Sequence, residues 1–210
     1  MPASASLVSA VWLAVLLAST GRERASEEDA RRTAARIRDG DRTAFRRFFD
    51  ATHADFLRAL RRRGLDAAAA EDVAQKAYVW LWEHRDRIDE TKSLRGLLFR
   101  IGLTRGLNHL RDHGRTESLP DFELAGEREG DPAALADLRR ALAEAVAALP
   151  ERRRETFALC FTDGLTHREA AEVMDVSPRT VEHQMAHALK AIRAHLAPFL
   201  DEPIPRTEKS

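Results

Sequence analysis

Apolar residues recur every three or four positions along most of this chain, the spacing of amphipathic helices. The pattern is sharpest from Leu165 to Leu196. Thr166 can cap the free amides of a first helical turn there, with Glu169 three residues on to complete a capping box. That helix ends near Met174. Ser177 then suits the next N-cap, and Pro178 fits the first helical position, where a missing N–H has no intrahelical partner to lose. Val181, Met185, Ala188, Leu189, Ile192 and Leu196 form the buried stripe of the second helix, so the stretch predicts a helix-turn-helix.

The other face of that second helix carries Arg179, His183, His187 and Lys190, with Thr180 and Gln184 near its N-terminus. Two readings fit these residues: a solvated surface, or donors for phosphates and base edges in a major groove. From Pro150 to Leu200 basic and acidic residues balance, so the segment lacks the basic excess of a self-sufficient DNA binder. A DNA-reading role therefore requires something else to bring it to DNA.

The N-terminal half is helical by the same test. Ser26 as N-cap, with Asp29 three residues on, opens a helix that stops at Gly40. Asp41 opens the next, with Ala44, Phe45, Phe48, Phe49, Phe56, Leu57 and Leu60 inward; Arg61, Arg62 and Arg63 read as a solvated face, and Gly64 breaks the helix. A third runs from Asp66 to Asp86, with Val73, Ala77, Trp80 and Leu81 inward. Glu71, Asp72, Gln75 and Lys76 point elsewhere, and Tyr78 and Trp82 add aromatic surface. After a loop at Ile88–Lys92, Ser93 caps a fourth helix whose core side is Leu94, Leu97, Leu98, Ile101 and Leu107. Its polar, basic side is Arg95, Arg100, Thr104, Arg105, Asn108 and Arg111, a set suited to a phosphate backbone.

His113 to Pro132 is rich in Gly, Pro and charge without apolar periodicity, which reads as a linker. Pro132 opens a helix, apolar at Leu135, Leu138, Leu142, Ala145, Val146 and Leu149, that ends at Pro150. Glu151 to Phe161 is the helix on which the helix-turn-helix packs; its Arg152, Arg153 and Arg154 are either phosphate contacts or a solvated first turn. The polar, proline-bearing tail after Pro198 is expected to be disordered.

Composition narrows the function. The 210 residues are 32% charged and 6% aromatic with zero formal net charge, which suits a soluble, helix-rich protein and removes the simple argument for nonspecific attachment to nucleic acid or membrane. Cys160 is the single cysteine, so an intrachain disulfide is excluded. With no CxxC and no His/Cys pair at ligand spacing, neither a metal nor another cofactor is expected. Cys160 lies among Phe157, Leu159 and Phe161 and reads as a small buried residue. No phosphate loop, GxSxG or HExxH is present, so no enzyme is expected. Leu7 to Ala18 is an apolar run of signal-peptide length, but the first basic residue, Arg22, follows it. A start codon set too far upstream, a peripheral or inserted tail, and a true signal all remain open.

The blocks RIRDGDRTAF, AEDVAQKAYVWLWE, SLRGLLFRIGLTRGLNHLR and LPERRRETFALCFTDGLTHREAAEVMDVSPRTVEHQMAHALKAIR resemble, in order and spacing, sigma-70 superfamily factors of the extracytoplasmic-function type. The likeness covers roughly Ala30 to Leu196 apart from the linker. It implies an all-α chain of two small helical domains: region 2-like over residues 26–113 and region 4-like over 133–198. A linker at 114–132, an apolar tail at 1–25 and a disordered tail at 199–210 complete the expected organisation. The implied function is promoter-specific initiation with bacterial core polymerase in the cytoplasm. Glu71, Asp72, Gln75, Tyr78 and Trp82 would meet the polymerase clamp, and region 4 the flap. Ile88, Asp89, Thr91, Lys92, Arg100, Thr104, Arg105, Asn108 and Arg111 would open and read the minus-10 element, where unstacking a base costs a few kcal/mol. Arg179, Thr180, His183, Gln184, His187 and Lys190 would read the minus-35 element.

The same resemblance implies an anti-sigma regulator, membrane-bound in the subgroup that SPRTVEHQMAHALK resembles. Lys76, Gly102-Leu103-Thr104 and Asn108 depart from the family pattern at the clamp and minus-10 surfaces. A LuxR-like regulator and a sigma mimic that titrates an anti-sigma factor are the alternatives.

Overall fold

The structure is a computed structural model that describes residues 23–113 and 132–201. Helices α1 (Glu23–Arg38), α2 (Arg42–Arg62), α3 (Ala67–Glu83) and α4 (Leu94–His113) form an N-terminal group, with a short 3-10 turn at Arg85–Arg87. Helices α5 (Pro132–Ala147), α6 (Glu151–Phe157), α7 (His167–Met174) and α8 (Pro178–Asp201) form the second, and a π-helical turn at Ala158–Thr162 follows α6. No strand occurs among the described residues. The apolar run at Leu7–Ala18, the linker at 114–131 and the tail from 202 onward lie outside them.

Local chemistry sets most helix ends. Asp41 accepts from the amides of Thr43 and Ala44 at 2.8 and 3.0 Å. The Ala44 bond foremost, then the Arg36 guanidinium, holds its carboxyl below the usual carboxylate range. Asp66 caps α3 through the Ala69 amide at 2.8 Å. Gly40 and Gly64 take φ values of +87° and +98°, which end α1 and α2 in the left-handed conformation. Two boundaries differ from expectation. Ser26 lies inside α1 rather than capping it, because Glu23, Arg24 and Ala25 are themselves good helix formers. Helix α8 continues past Pro198 to Asp201, since an internal proline removes one backbone bond without obliging the chain to leave the helix.

The core of the N-terminal group is built on aromatic packing around Tyr78. This residue was expected on the surface, yet it is 4% exposed, with the Phe45, Phe48, Phe49 and Phe56 rings 4.8–6.4 Å away. Its hydroxyl has a partner inside, Thr52 Oγ1 at 2.8 Å, so the polar end of the ring is not stranded. Burial pushes its pKa up to about 12. The inward face of α4 also differs from expectation: Phe99 and Leu103 are buried, whereas Leu107 is 59% exposed. Gly102 explains the phase. A Cβ there would collide with the Phe56 ring, so the glycine marks the line of closest approach between α2 and α4.

The helix-turn-helix follows its caps. The Thr166 hydroxyl accepts from the Glu169 amide at 3.2 Å, and Glu169 Oε2 accepts from the Thr166 amide at 2.9 Å. Asp175 ends α7 at φ 56°, and Ser177 Oγ accepts from the Thr180 amide at 3.1 Å. Met185, Ala188, Ile192 and Leu196 bury against Ala141, Leu142, Ala145, Val146 and Leu149 of the α5 segment and Phe157 of α6. Leu189 and Cys160 are only partly buried. A separate apolar cluster joins the two groups: Leu159, Leu165, Ala170, Ala171 and Val181 are continuous with the α2–α4 core. Helix α7 is thus covered by α4 on one side and α8 on the other.

Two outcomes follow from this packing. Gly102→Ala would gain about 1 kcal/mol of helix propensity but overpack Phe56, and the net is a loss of roughly 2 kcal/mol in urea unfolding; a more stable variant would contradict the close approach. Tyr78 is the sole tyrosine. Its folded pKa is raised, so its stabilising contribution is complete below the ordinary value near 10 and fades as pH climbs toward about 12. Tyrosinate absorbance should therefore stay flat through pH 10 and rise only close to 12 or with unfolding, and an ordinary titration at 10 would place the ring in solvent.

Candidate nucleic-acid interface

Helix α8 presents Arg179, His183, His187 and Lys190 to solvent. The two histidines sit one turn apart with Nε2 atoms 3.1 Å from each other. His183 foremost, with Arg153 and Lys190 nearby, holds the His187 pKa below the usual histidine range, so at neutral pH that ring is uncharged and offers one donor and one acceptor. Thr180 is half-buried with its hydroxyl 2.8 Å from Ser177 Oγ. Gln184 departs from the expected role: it leans inward and its Oε1 accepts from the Thr156 hydroxyl, so its amide NH₂ is the donor left for an outside partner.

A second polar face lies on α4. Arg100, Thr104, Asn108 and Arg111 are exposed and, at steps of four, four and three, lie along one side of the helix. Arg105 is half-buried at the edge of that face. Asn108 Oδ1 accepts from Arg111, and the Thr104 hydroxyl is bonded to the Arg100 carbonyl at 2.8 Å. In the loop before α4, Asp89, Thr91 and Lys92 are exposed. The Thr91 hydroxyl and amide donate to Asp89, which lowers the Asp89 pKa and fixes a tight turn. Ile88 is corrected: at 7% exposure it belongs to the apolar core and anchors the loop rather than facing a ligand.

A third surface is the shallow groove between α2 and α3, floored by Phe45 and Phe49 and rimmed by Gln75, Val79, Trp82 and Glu83. Glu71 and Asp72 are exposed beside it, with Asp72 paired to Lys76 at 2.6 Å. Tyr78 lines the groove from beneath, so it shapes the surface without offering a free side chain. Val79, 47% exposed, is the apolar contact that periodicity did not single out.

The loop and α4 also meet the second group of helices directly. Ser93 donates its amide to Glu172 Oε1 at 2.8 Å and its hydroxyl to Glu169 Oε1 at 3.0 Å. Burial raises the Glu172 pKa even though the Ser93 amide opposes the shift. Arg95, expected on the free basic side, instead turns toward the Gly164 and Asp163 carbonyls at 2.8 and 3.1 Å. Arg62 and Arg63, expected to be solvated, both grip Asp163, the Arg63 bond at 2.9 Å, and the Asp163 side chain is 1% exposed. Arg168 donates to the Thr91 carbonyl, and Arg100 lies 3.6 Å from Asp175.

Known proteins share this arrangement. The family description "Sigma-70 region 2" matches residues 48–116 and "Sigma-70, region 4" matches residues 139–192. RNA polymerase sigma factor CnrH of Cupriavidus metallidurans is 32% identical over 192 residues, covering 83% of this chain and 96% of CnrH. ECF RNA polymerase sigma factor SigK of Mycobacterium ulcerans is 27% identical over 164 residues, covering 75% of this chain and 88% of SigK. The solved structure of CnrH in complex with the cytosolic domain of CnrY superposes with a TM-score of 0.54 at 25% identity, covering 80% of this chain and 97% of that chain. With both helical groups matched in order and CnrH aligned over nearly its whole length, this chain belongs to the sigma-70 family of RNA polymerase sigma factors, in the extracytoplasmic-function group.

Proposed function

We propose that this chain binds bacterial core RNA polymerase and directs initiation at its own promoters, with each of the three surfaces doing one part of that work. The observation that carries the reading is the exposed α8 face, where Arg179, His183, His187 and Lys190 stand on a helix fixed at its start by Ser177 and Pro178. That is where a helix-turn-helix places groove-reading side chains. Arg179, Thr180, His183, His187 and the Gln184 amide read minus-35 base edges, and Lys190 meets phosphate. Because the helix-turn-helix carries no basic excess, its affinity comes through attachment to polymerase, which raises its local concentration at DNA.

Asp89, Thr91 and Lys92 receive the minus-10 bases, while Arg100, Thr104, Arg105, Asn108 and Arg111 follow the strand. The groove beside Glu71, Asp72, Gln75, Val79 and Trp82 docks the polymerase clamp, its acidic rim favouring a basic partner. Since the related CnrH was solved with the cytosolic domain of CnrY, a regulatory partner anchored in a membrane is the corresponding proposal here. No helix among the described residues is long and apolar enough to cross a membrane.

Run-off transcription with core polymerase on a genomic promoter pool tests the assignment, using chains that start at Met1 and at Ser26. Discrete starts that need this protein are expected from both. In the same assay, Arg179→Ala with His183→Ala should reduce those starts by about tenfold or more, in line with 1–3 kcal/mol for each good base contact, while polymerase binding stays intact. Equal activity would remove α8 from promoter reading. Trp82→Ala with Val79→Asp should give the opposite split, with polymerase binding lost and the circular dichroism of the folded chain retained. Undiminished polymerase affinity would move the clamp contact elsewhere.

A further inference from the structure

We propose that His183 and His187 form a chelating site for a borderline divalent transition cation, of which zinc is the type, on the exposed face of α8. The cation and the minus-35 bases then compete for the same ring nitrogens. The site stands on geometry, whereas the competition rests on the promoter-reading role proposed above. In His183-Gln184-Met185-Ala186-His187 the histidines are four residues apart, the spacing at which two rings on one helical face reach a single ion. The expectation that no metal is held rested on the lack of cysteine pairing, which does not bear on two histidines. Their Nε2 atoms lie 3.1 Å apart. At a zinc–nitrogen distance of about 2.0–2.1 Å, nitrogens so placed subtend roughly 100° at one ion, between the octahedral and tetrahedral values.

Ring orientation separates this pair from another of the same spacing. A metal lies in the plane of each imidazole that binds it, so the two planes must cross nearby. His183 and His187 are inclined at 66° with their Nε2 atoms facing each other. His109 and His113 on α4 have the same 4.4 Å between ring centroids but stack at 19°, and planes so nearly parallel share no point close enough for one ion. As a hydrogen-bonded pair, one of the α8 rings donates through Nε2–H to the other; moving that proton to Nδ1 of its own ring frees both Nε2 lone pairs without a change of charge. Among the described residues no third His, Cys, Asp or Glu joins them, so water would fill the remaining positions and the cation would stay exchangeable. Arg153 and Lys190, which help to depress the His187 pKa, also repel a dication and keep the hold reversible. Gln184 stands where a metallohydrolase helix carries its glutamate base, and its Oε1 is engaged by Thr156, so the chemistry is binding rather than hydrolysis. Occupancy takes Nε2 of both rings away from base edges.

Calorimetric titration of the full chain with Zn²⁺ at neutral pH should show a single tightest site, absent with Mg²⁺, a hard cation that prefers oxygen ligands. Because the second ring binds intramolecularly, His183→Ala or His187→Ala should weaken that site by about tenfold or more, with helical circular dichroism retained. His109→Ala with His113→Ala should leave it in place. No zinc binding, or binding that survives the loss of His183 and His187, would overturn the site. The competition is read with the wild-type chain and core polymerase on two templates, an intact promoter and a premelted one without its minus-35 element. Zinc at the concentration that fills the site should cut starts from the first by about tenfold, the scale of one or two lost base contacts, and spare the second. Equal loss on both templates would overturn the competition, since it would reflect the polymerase. If no start depends on this protein at all, the sigma reading falls, and the titration still decides whether the site exists.

Discussion

The packing of α7 on two sides is the constraint from which the rest of the arrangement follows. A helix of eight residues is too short to persist alone in water, because nucleation costs more than so few backbone bonds return. Its capping box and the left-handed Asp175 define its ends, but its stability comes from what covers it. Helix α8 covers one face and α4 the other. Helix α8 is therefore oriented by an element that the N-terminal group also supports. The two helical groups share a structural part, although their sequence blocks are separated by residues 114–131.

The π-helical turn at Ala158–Thr162 contributes to that sharing. A wider turn displaces the chain that follows it, and here it delivers Asp163 to the Arg62–Arg63 pair and Leu159 to the common apolar cluster. Phe161 stays on the side of the α5–α8 core, and Cys160 touches both clusters. One short segment thus faces two cores, with the carboxylate at its end fixed in a nearly dry site. A carboxylate so placed is costly without partners and well held with two guanidinium groups, which makes the pairing specific rather than merely adhesive.

What could be read from the sequence was whatever depends on near neighbours. N-caps at Asp41, Thr166 and Ser177, stops at Gly40 and Gly64, and the stripe from Val181 to Leu196 all arise within one or two turns, so residue type and spacing determine them. The inward face of α4 was harder to phase, because glycine carries no hydrophobic signal: Gly96, Gly102 and Gly106 mark the contact line, and Leu107 looked like core while Phe99 was overlooked. Tyr78 and Ile88 went the same way, an aromatic ring and a loop isoleucine that fit surface or interior equally well until their neighbours are known. The contacts between the two halves were the least legible. Arg62, Arg63, Arg95, Glu169 and Glu172 have the composition of a wetted surface, and only tertiary structure pairs them across 69 to 101 residues of chain.

The three glycines of α4 divide the support of that helix between the two groups. Each costs about 1 kcal/mol of helical preference relative to alanine, so this helix relies on its surroundings to stay wound. Gly102 and Gly106 are braced by Phe56, Leu60 and Leu65 within the N-terminal group, whereas Gly96 faces Glu169 and Glu172 of α7. The first turn of α4 is thus braced from the second helical group, and the remainder from within the first. The end that adjoins Asp89, Thr91 and Lys92 is therefore the part of α4 whose winding depends on side chains more than 70 residues away in the chain.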